Sequence, residues 1–373
     1  MLTGIVLVLA IGSLVYCVLT VIAAAQYRAV YAQKPRDMPP VSILKPLSGS
    51  DLGLEENLRS FFEQAYPEFE ILLAVPGADD PAAALAERVR AQYPRVPSRL
   101  IVTGEAPYAN AKVFSLDAML AEARHDVVVM ADSDVRVTPR LLFTLASELG
   151  DERTGIVTCP GRAAPGPSIW SKLEGLTLNT EFLGGVLVAR LILGMRFALG
   201  PTIAAKREAL QDIGGMDAVK DYLSEDFVLG KMAAQAGWRV VLSSYIIEHR
   251  IGSQCFRASL RHRLRWNRGT RRSRPWGYMG QVFTNPLPLA MILVLARPSW
   301  WPVLVVTAAF RALAGWATAE RLLEDALTRR LWWLVPFADL ASFLVWLAAF
   351  YGNTIVWRGR KYELLRDGRF RRV

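Results

Sequence analysis

The fold class this sequence predicts is an α/β domain on a Rossmann-like, mostly parallel sheet, carried between apolar helices at both ends. Three observations predict it. Between residues 40 and 245, short β-rich apolar runs alternate with longer stretches of helical periodicity, the pattern of βαβ units. Residues 2–25 carry no charge over 24 positions. Residues 286–317 and 331–351 are apolar again, so the excess behind the 52% hydrophobic content lies at the two ends.

Taken in order, the first element is a transmembrane helix within residues 1–27: at ~1.5 Å per residue the charge-free run exceeds the ~30 Å of a bilayer's hydrocarbon core. It lacks a basic segment ahead of it and is too long for a cleavable signal. Arg28, Lys34 and Arg36 follow, which places the next segment in the cytoplasm by the positive-inside rule. The α/β domain then spans residues 40–275. Its strand candidates are "VSILKPL" (41–47), "EILLAVPG" (70–77), "SRLIVTG" (98–104) and "DVVVMAD" (126–132). Between them lie "LEENLRSFFEQAYP", "DPAAALAERVRAQYP" and "NAKVFSLDAMLAEAR", apolar near i, i+3, i+4 and i+7.

Ligands of such sheets bind beyond the carboxyl ends of the strands, which directs attention to residues 45–48, 76–80, 104–112 and 132–134. None carries G-x-G-x-x-G or a P-loop pattern, so a dinucleotide cofactor is not expected. Residues 169–204 are apolar but broken by charges and glycines, which fits an amphipathic segment at the bilayer surface or a packed helix of the domain rather than a span. The C-terminal region, 286–352, reads as about two crossings, with 286–317 as one broken span. Residues 353–373, with seven Arg or Lys against two acids, read as a basic cytoplasmic tail.

The net charge of +10 is local. Residues 250–274 hold nine Arg and no acid, and with the tail they flank the apolar helices, as expected for attraction to anionic lipid headgroups. A chain tethered at both ends, with no nucleic-acid motif, is not expected to bind nucleic acid. Cys17, Cys159 and Cys255 have no metal-type spacing and read as reduced packing residues.

The chemistry-bearing residues are acids at element ends: "GADDPA" (Asp79, Asp80), "ADSDVRV" (Asp132, Asp134) and "LSEDFVLG" (Glu225, Asp226). A lone D-x-D is a common solvated loop or helix cap. Following a buried strand, Asp132 and Asp134 suit Mg²⁺ or Mn²⁺, which takes one or two carboxylates plus substrate phosphates. Such an ion neutralises a departing diphosphate, so the pair points to a phosphate-bearing donor. Glu225 and Asp226 open a helical pattern, where a carboxylate either caps the helix or serves as general base toward an acceptor hydroxyl. In "RHRLRWNRGTRR", Arg265 and Trp266 pair a fixed cation with a flat apolar face, suited to an anionic leaving group and to stacking on a sugar or acceptor. Lys112 follows the third strand, placed either to approach phosphates or to remain on the surface.

The order DD, DSD, ED and RW between an N-terminal membrane helix and C-terminal spans resembles glycosyltransferase family 21, the ceramide glucosyltransferases, whose fold is GT-A and whose pattern is D, D, D and [Q/R]-x-x-R-W. The likeness runs over residues 41–270, from "SILKPLSGSDLGLEENLRSFFEQAYPEFEILLAV" through "DDPA", "SDVRV" and "SEDF". It implies a UDP-sugar donor contacted by Asp80, a metal and diphosphate held by Asp132 and Asp134, Asp226 as catalytic base, and Arg265 with Trp266 closing over donor and acceptor. The acceptor it implies is ceramide, or a hopanoid or similar polyol lipid, since hopanoid-directed bacterial glycosyltransferases resemble the same family. The implied setting is a bacterial inner membrane with the catalytic domain in the cytoplasm. One position departs from the pattern: His262 stands where Gln or Arg is expected, so that contact falls to His262, Arg261 or Arg263. A processive polysaccharide synthase shares these motifs but needs a channel of more helices. A non-catalytic membrane adaptor would not need Asp80, Asp132, Asp134 and Asp226 together.

Overall fold

The computed structural model describes residues 2–30 and 37–373; Lys34 and Arg36 lie outside them. Helix α1 (Leu2–Arg28) has the length and uniform apolarity expected, and its Tyr27 hydroxyl donates to the carbonyl of Ser243, docking its last turn on the α/β domain. The domain follows as β1 (Val41–Pro46), α2 (Leu54–Phe62), β2 (Phe69–Val75), α3 (Pro81–Gln92), β3 (Ser98–Val102), α4 (Ala111–Glu122) and β4 (Val127–Ala131). Then come β5 (Val135–Arg136), α5 (Leu141–Leu149), β6 (Thr154–Thr158), β7 (Gly161–Pro165), α6 (Ile169–Thr177), α7 (Leu183–Leu193), β8 (Thr202–Lys206) and α8 (Arg207–Asp212). It closes with α9 (Glu225–Gln235), β9 (Arg239–Leu242), β10 (Ile247–Ile251) and α10 (Phe256–Ser273).

All four strand candidates form, in a seven-stranded sheet of order β3-β2-β1-β4-β8-β6-β9. β1 to β4 pair in parallel, whereas β8 runs antiparallel to both its neighbours. Every residue of β4 is buried, because helices cover both sheet faces and a strand so placed needs apolar side chains in both directions. Leu58, Phe61, Val89 and Leu142 from α2, α3 and α5 pack on one face, and Val113, Met119, Leu210 and Leu229 from α4, α8 and α9 on the other. The carboxyl ends of β1 to β4 therefore open on one edge. A second sheet, β5-β10-β7, stands beside that edge and holds the backbone of Asp134 through the Arg250 amide at 2.7 Å.

Helix α9 crosses the 197–198 segment with backbone against backbone: a Cβ on Gly230 would stand 2.3 Å from the Ala198 nitrogen and 2.5 Å from the Phe197 carbonyl carbon. Gly230→Ala is therefore expected to push α9 off the sheet and to lower stability by about 1–3 kcal/mol. A thermal melt of the purified variant checks it; an unchanged midpoint would contradict this packing.

Outside the domain run α11 (Pro275–Gly280), α12 (Pro286–Ala296), α13 (Trp301–Gly315), α14 (Ala326–Leu331) and α15 (Val335–Ala348). Among the described residues four helices are long and apolar enough to cross a membrane: Thr3–Arg28, Ile169–Leu193, Pro298–Glu320 and Ala326–Ala348. Pro275–Thr284 and Pro286–Ala296, bent by 65°, add a fifth if taken as one broken span. Two features differ from expectation. Residues 286–317 are not one broken span but separate helices divided at Arg297, where the chain turns extended ahead of Pro298. Residues 169–193 form one continuous helical stretch with a π-helical turn at Leu178–Phe182, because their acids turn inward onto partners: Glu174 to Ser259 and His262, Glu181 to Thr284.

The segment expected as a basic tail is folded. β11 (Thr354–Trp357), β12 (Arg360–Leu364) and β13 (Phe370–Arg372) form an antiparallel sheet. Ile355, Tyr362, Leu364 and Phe370 make its apolar side, which packs on Ala109 and Leu223. Alternation of apolar and basic residues at period two underlies this sheet, and the Arg content masked it in a reading by charge.

Candidate active site

The strand ends, the second sheet, α10 and the C-terminal sheet enclose a cavity of about 1580 Å³. Asp80, Lys112, Asp132, Asp134, Asp226, His262, Arg265 and Trp266 all line it. Residues far apart along the chain thus meet in one place, carried there by different elements.

Asp132 and Asp134 sit on the turn after β4, which is pinned from several sides. Lys45, fully buried in β1, donates its ammonium to the Asp132 carbonyl; Asn57 donates to the Ser133 carbonyl at 3.1 Å, and the Ser133 hydroxyl to Asp51 at 2.6 Å. Burial lowers Lys45 to about 7 against the pull of Asp132, Asp134 and Asp51. The Asp132 carboxylate takes the Lys112 ammonium at 2.7 Å, and the same ammonium lies 3.0 Å from Glu225. Burial pushes Asp132 above the usual carboxylate range, with Lys112 opposing it. Burial acts on Asp134 in the same sense, but the imidazole of His249, with Nε2 at 3.2 Å from Oδ2, and the cations Lys45 and Lys112 outweigh it and hold Asp134 low. Its other oxygen, Oδ1, is buried with no hydrogen-bond partner. A buried, ionised oxygen left without a donor is the kind of atom a hard cation satisfies.

Asp226 lies in the first turn of α9. Burial, then the neighbouring Glu225, raise it to about 6, while Lys112 and the Phe227 amide act to keep it ionised. Asp80 both lines the cavity and holds local structure. It caps α3, Oδ1 accepting from the Ala82 amide at 2.8 Å, and it also accepts from the Gly49 amide at 2.8 Å. On α10, His262 donates from Nδ1 to buried Glu174 at 2.6 Å, with its ring centroid 4.7 Å from that of Trp266. His262 lines the cavity, whereas Arg261 and Arg263 do not. Arg265 lies over the Trp357 ring at 5.8 Å. Its guanidinium is lowered by burial; Glu225 opposes the shift and Arg358 adds to it.

The cavity lining is also partly apolar: Leu178, Phe182, Val186, Phe197 and Leu199 contribute to it, with Trp266 tilted against Phe182 at 6.4 Å between centroids. These residues belong to, or adjoin, the long apolar stretch 169–193. The site therefore combines a polar, cation-ready lining with apolar residues of a membrane-type helix.

The family model Glycosyl transferase family 21 matches residues 5–370. The chain belongs to that family. Ceramide glucosyltransferase 1 of Caenorhabditis elegans is 23% identical over 343 residues, covering 90% of this chain and 73% of the relative. The ceramide glucosyltransferase of Komagataella phaffii is 34% identical over 108 residues, 28% of this chain and 21% of its own. Among solved structures, a mannosyltransferase of Pyrobaculum calidifontis in complex with GDP-Man and Mn²⁺ covers 93% of this chain and 99% of its own, at 19% identity and a TM-score of 0.57. That likeness is one of fold, and the fold is GT-A. This family 21 chain is thus a sugar-transferring enzyme of glycosyltransferase type with several helices that fit a membrane protein.

Four contributors to the family 21 site escaped the sequence motifs. His249 carried a signal, being one of three histidines in the chain, of which two line the cavity. Lys45 lay in the strand-end stretch 45–48 that the sheet rule marks, but no motif gave it a role. Glu174 lay in an apolar stretch without a visible partner, and the C-terminal arginines had the look of membrane-surface charge.

Proposed function

We propose that this family 21 enzyme moves glucose, or a similar hexose, from a UDP-sugar to a hydroxyl of ceramide with inversion at the anomeric carbon. The observation that carries it is the mixed lining of one cavity: Asp132, Asp134, Asp226 and Arg265 share it with the apolar residues Leu178, Phe182 and Val186 of the membrane-type helix Ile169–Leu193. A water-soluble acceptor would not need such a lining, and a lipid acceptor would.

In this reading the Asp226 carboxylate takes the proton of the acceptor hydroxyl as its oxygen attacks the anomeric carbon. The carbon–oxygen bond to the diphosphate breaks and its electron pair leaves on UDP. Arg265 meets the diphosphate as a fixed cation, and Trp266 with Phe182 offers flat faces to sugar and lipid. Lys112 bridges the Asp132 and Glu225 carboxylates beside Asp226. Asp132 and Asp134 are the residues that would hold Mn²⁺ or Mg²⁺; among the described residues no group of three His, Cys, Asp or Glu is placed to hold an ion, so the remaining positions would fall to diphosphate oxygens and water. When bound, the ion supplies charge neutralisation for the leaving diphosphate.

The test is detergent-purified protein supplied with UDP-glucose, Mn²⁺ and either ceramide or a hopanoid polyol, with UDP release and lipid mass spectra as readouts. A hexosylceramide is the expected product; a hexosylated hopanoid alone would move the acceptor, and no UDP release with any lipid would overturn the reading. Chelation with EDTA, or Asp134→Ala, is expected to lower turnover by about a hundredfold or more, as loss of a charge stabilising a leaving group does. Turnover unaffected by both would remove the metal from the scheme.

A further inference from the structure

The β11–β12 hairpin has a two-residue loop, Arg358-Gly359, between the paired residues Trp357 and Arg360. Both loop residues have positive φ, 48° for Arg358 and 77° for Gly359. That is the geometry of a type I′ turn, whose first position favours Asn or Asp, while an arginine there holds its backbone in a region that L residues disfavour. Arg358 and Glu324 are the only non-glycine residues with positive φ among those described. A residue unsuited to its backbone points to a use for its side chain.

That side chain faces the cavity. The C-terminal sheet places four arginines on it, Arg358, Arg360, Arg371 and Arg372. Three are ion-paired: Arg360 with Glu105 at 2.8 Å, Arg372 with Glu105 at 3.9 Å and Arg371 with Glu363 at 2.8 Å. Arg358 has no acid within ion-pair distance and no hydrogen bond among the described residues, and the same holds for Arg265 on the facing helix. The two guanidiniums lie near enough that Arg358 works against the charge of Arg265. Arg265 lies over the ring of Trp357, the residue before Arg358, and two unneutralised cations so close on one cavity lining repel until an anion joins them.

The sheet that presents Arg358 is fixed to the site. Tyr222 and Arg369 form an antiparallel bridge, and the Phe370 amide donates to the Asp221 carbonyl at 2.9 Å. Both anchors lie a few residues before Asp226, so the hairpin is registered to the chemistry rather than hanging free.

We propose that Arg358 is a second diphosphate-binding cation of the donor site, closing with Arg265 over the nucleoside diphosphate from the side away from the strand ends. This rests on the function proposed above and adds a residue that the acidic and R-W motifs do not contain. The phosphate chemistry it recognises could also come from an anionic lipid headgroup; its place in the cavity among donor-side residues favours the nucleotide.

The deciding variant is Arg358→Asn. Asn-Gly is the preferred sequence of this turn, so the fold is expected to melt at or above the wild-type temperature while the guanidinium is gone. Binding of UDP with Mn²⁺ is measured by calorimetry on the full chain in uncharged detergent, beside KM for UDP-glucose. We expect Kd and KM to rise about tenfold or more, the scale for losing one charge-assisted contact, with kcat changed less. Wild-type protein that binds UDP while R358N matches it within about twofold overturns the clamp and leaves the proposed function standing. An effect confined to micelles doped with phosphatidylglycerol also overturns it, in favour of a lipid contact. Wild-type protein that binds no UDP overturns both.

Discussion

Replacing Asp226 with Asn is expected to reduce sugar transfer by about 10²- to 10⁴-fold, the range spanned by positioned general bases. Asparagine keeps the size and the hydrogen-bonding shape at the start of α9 but cannot take a proton. UDP binding should survive within a few-fold, because the cavity cations and the Asp134–His249 pair are untouched. Measuring Kd for UDP beside turnover separates loss of a base from loss of fold; equal collapse of both would count against the assigned role. The pH profile follows from the environment. Burial and Glu225 raise Asp226 to about 6, and the reactive form is the deprotonated one. Transfer should therefore fall as pH drops through about 6, rather than near about 4 where an exposed aspartate titrates. A wild-type acid limb at that lower pH, or one that persists unchanged in D226N, would point to another group.

Unpairing Arg311 is expected to have the largest effect on stability. In α13, its Nε and Nη2 donate to the two oxygens of Asp339 in α15 at 2.8 and 2.7 Å, and Nη2 also donates to the Thr180 hydroxyl at 2.9 Å. The side chains are 5% and 2% exposed. Arg311→Met leaves a carboxylate buried among apolar helices and should cost about 3–5 kcal/mol, read as a lower melting midpoint in detergent. The double variant Arg311→Met with Asp339→Leu should recover much of that loss, because the cost lies in the orphaned charge rather than in the missing attraction. Single and double variants that melt alike would contradict this. Thr180 belongs to the π-helical turn that also carries Leu178 and Phe182, so the single variant should disturb the apolar lining as well.

Much of the site was legible along the chain because its carriers are local. Asp132 and Asp134 follow a strand whose five buried residues announce themselves, and Asp226 opens a helix with its own apolar stripe. Arg265-Trp266 is a contiguous pair. His262, where the family pattern has Gln or Arg, turned out to be the one candidate of three to reach the cavity, because the face of α10 that carries His262 and Trp266 turns toward Glu174 and the cavity. The charges in 169–193 left a surface segment and a packed helix both open, since a charge in a linear pattern carries no mark of whether a partner waits for it; the paired Glu174 and Glu181 favour the packed helix.

The alternation of strand and helix, the carboxylates at the strand ends and the apolar terminal helices were settled by sequence alone, because periodicity and hydropathy act over neighbouring residues. The tertiary structure decided which charges neutralise one another. His249 meets Asp134 from 115 positions away and His262 meets Glu174 from 88, and no local pattern encodes such pairings. It also decided that a basic C-terminal segment folds over the cavity instead of trailing along a membrane. A long-range apolar contact, Leu223 and Ala109 against the face of β11–β13, holds it there.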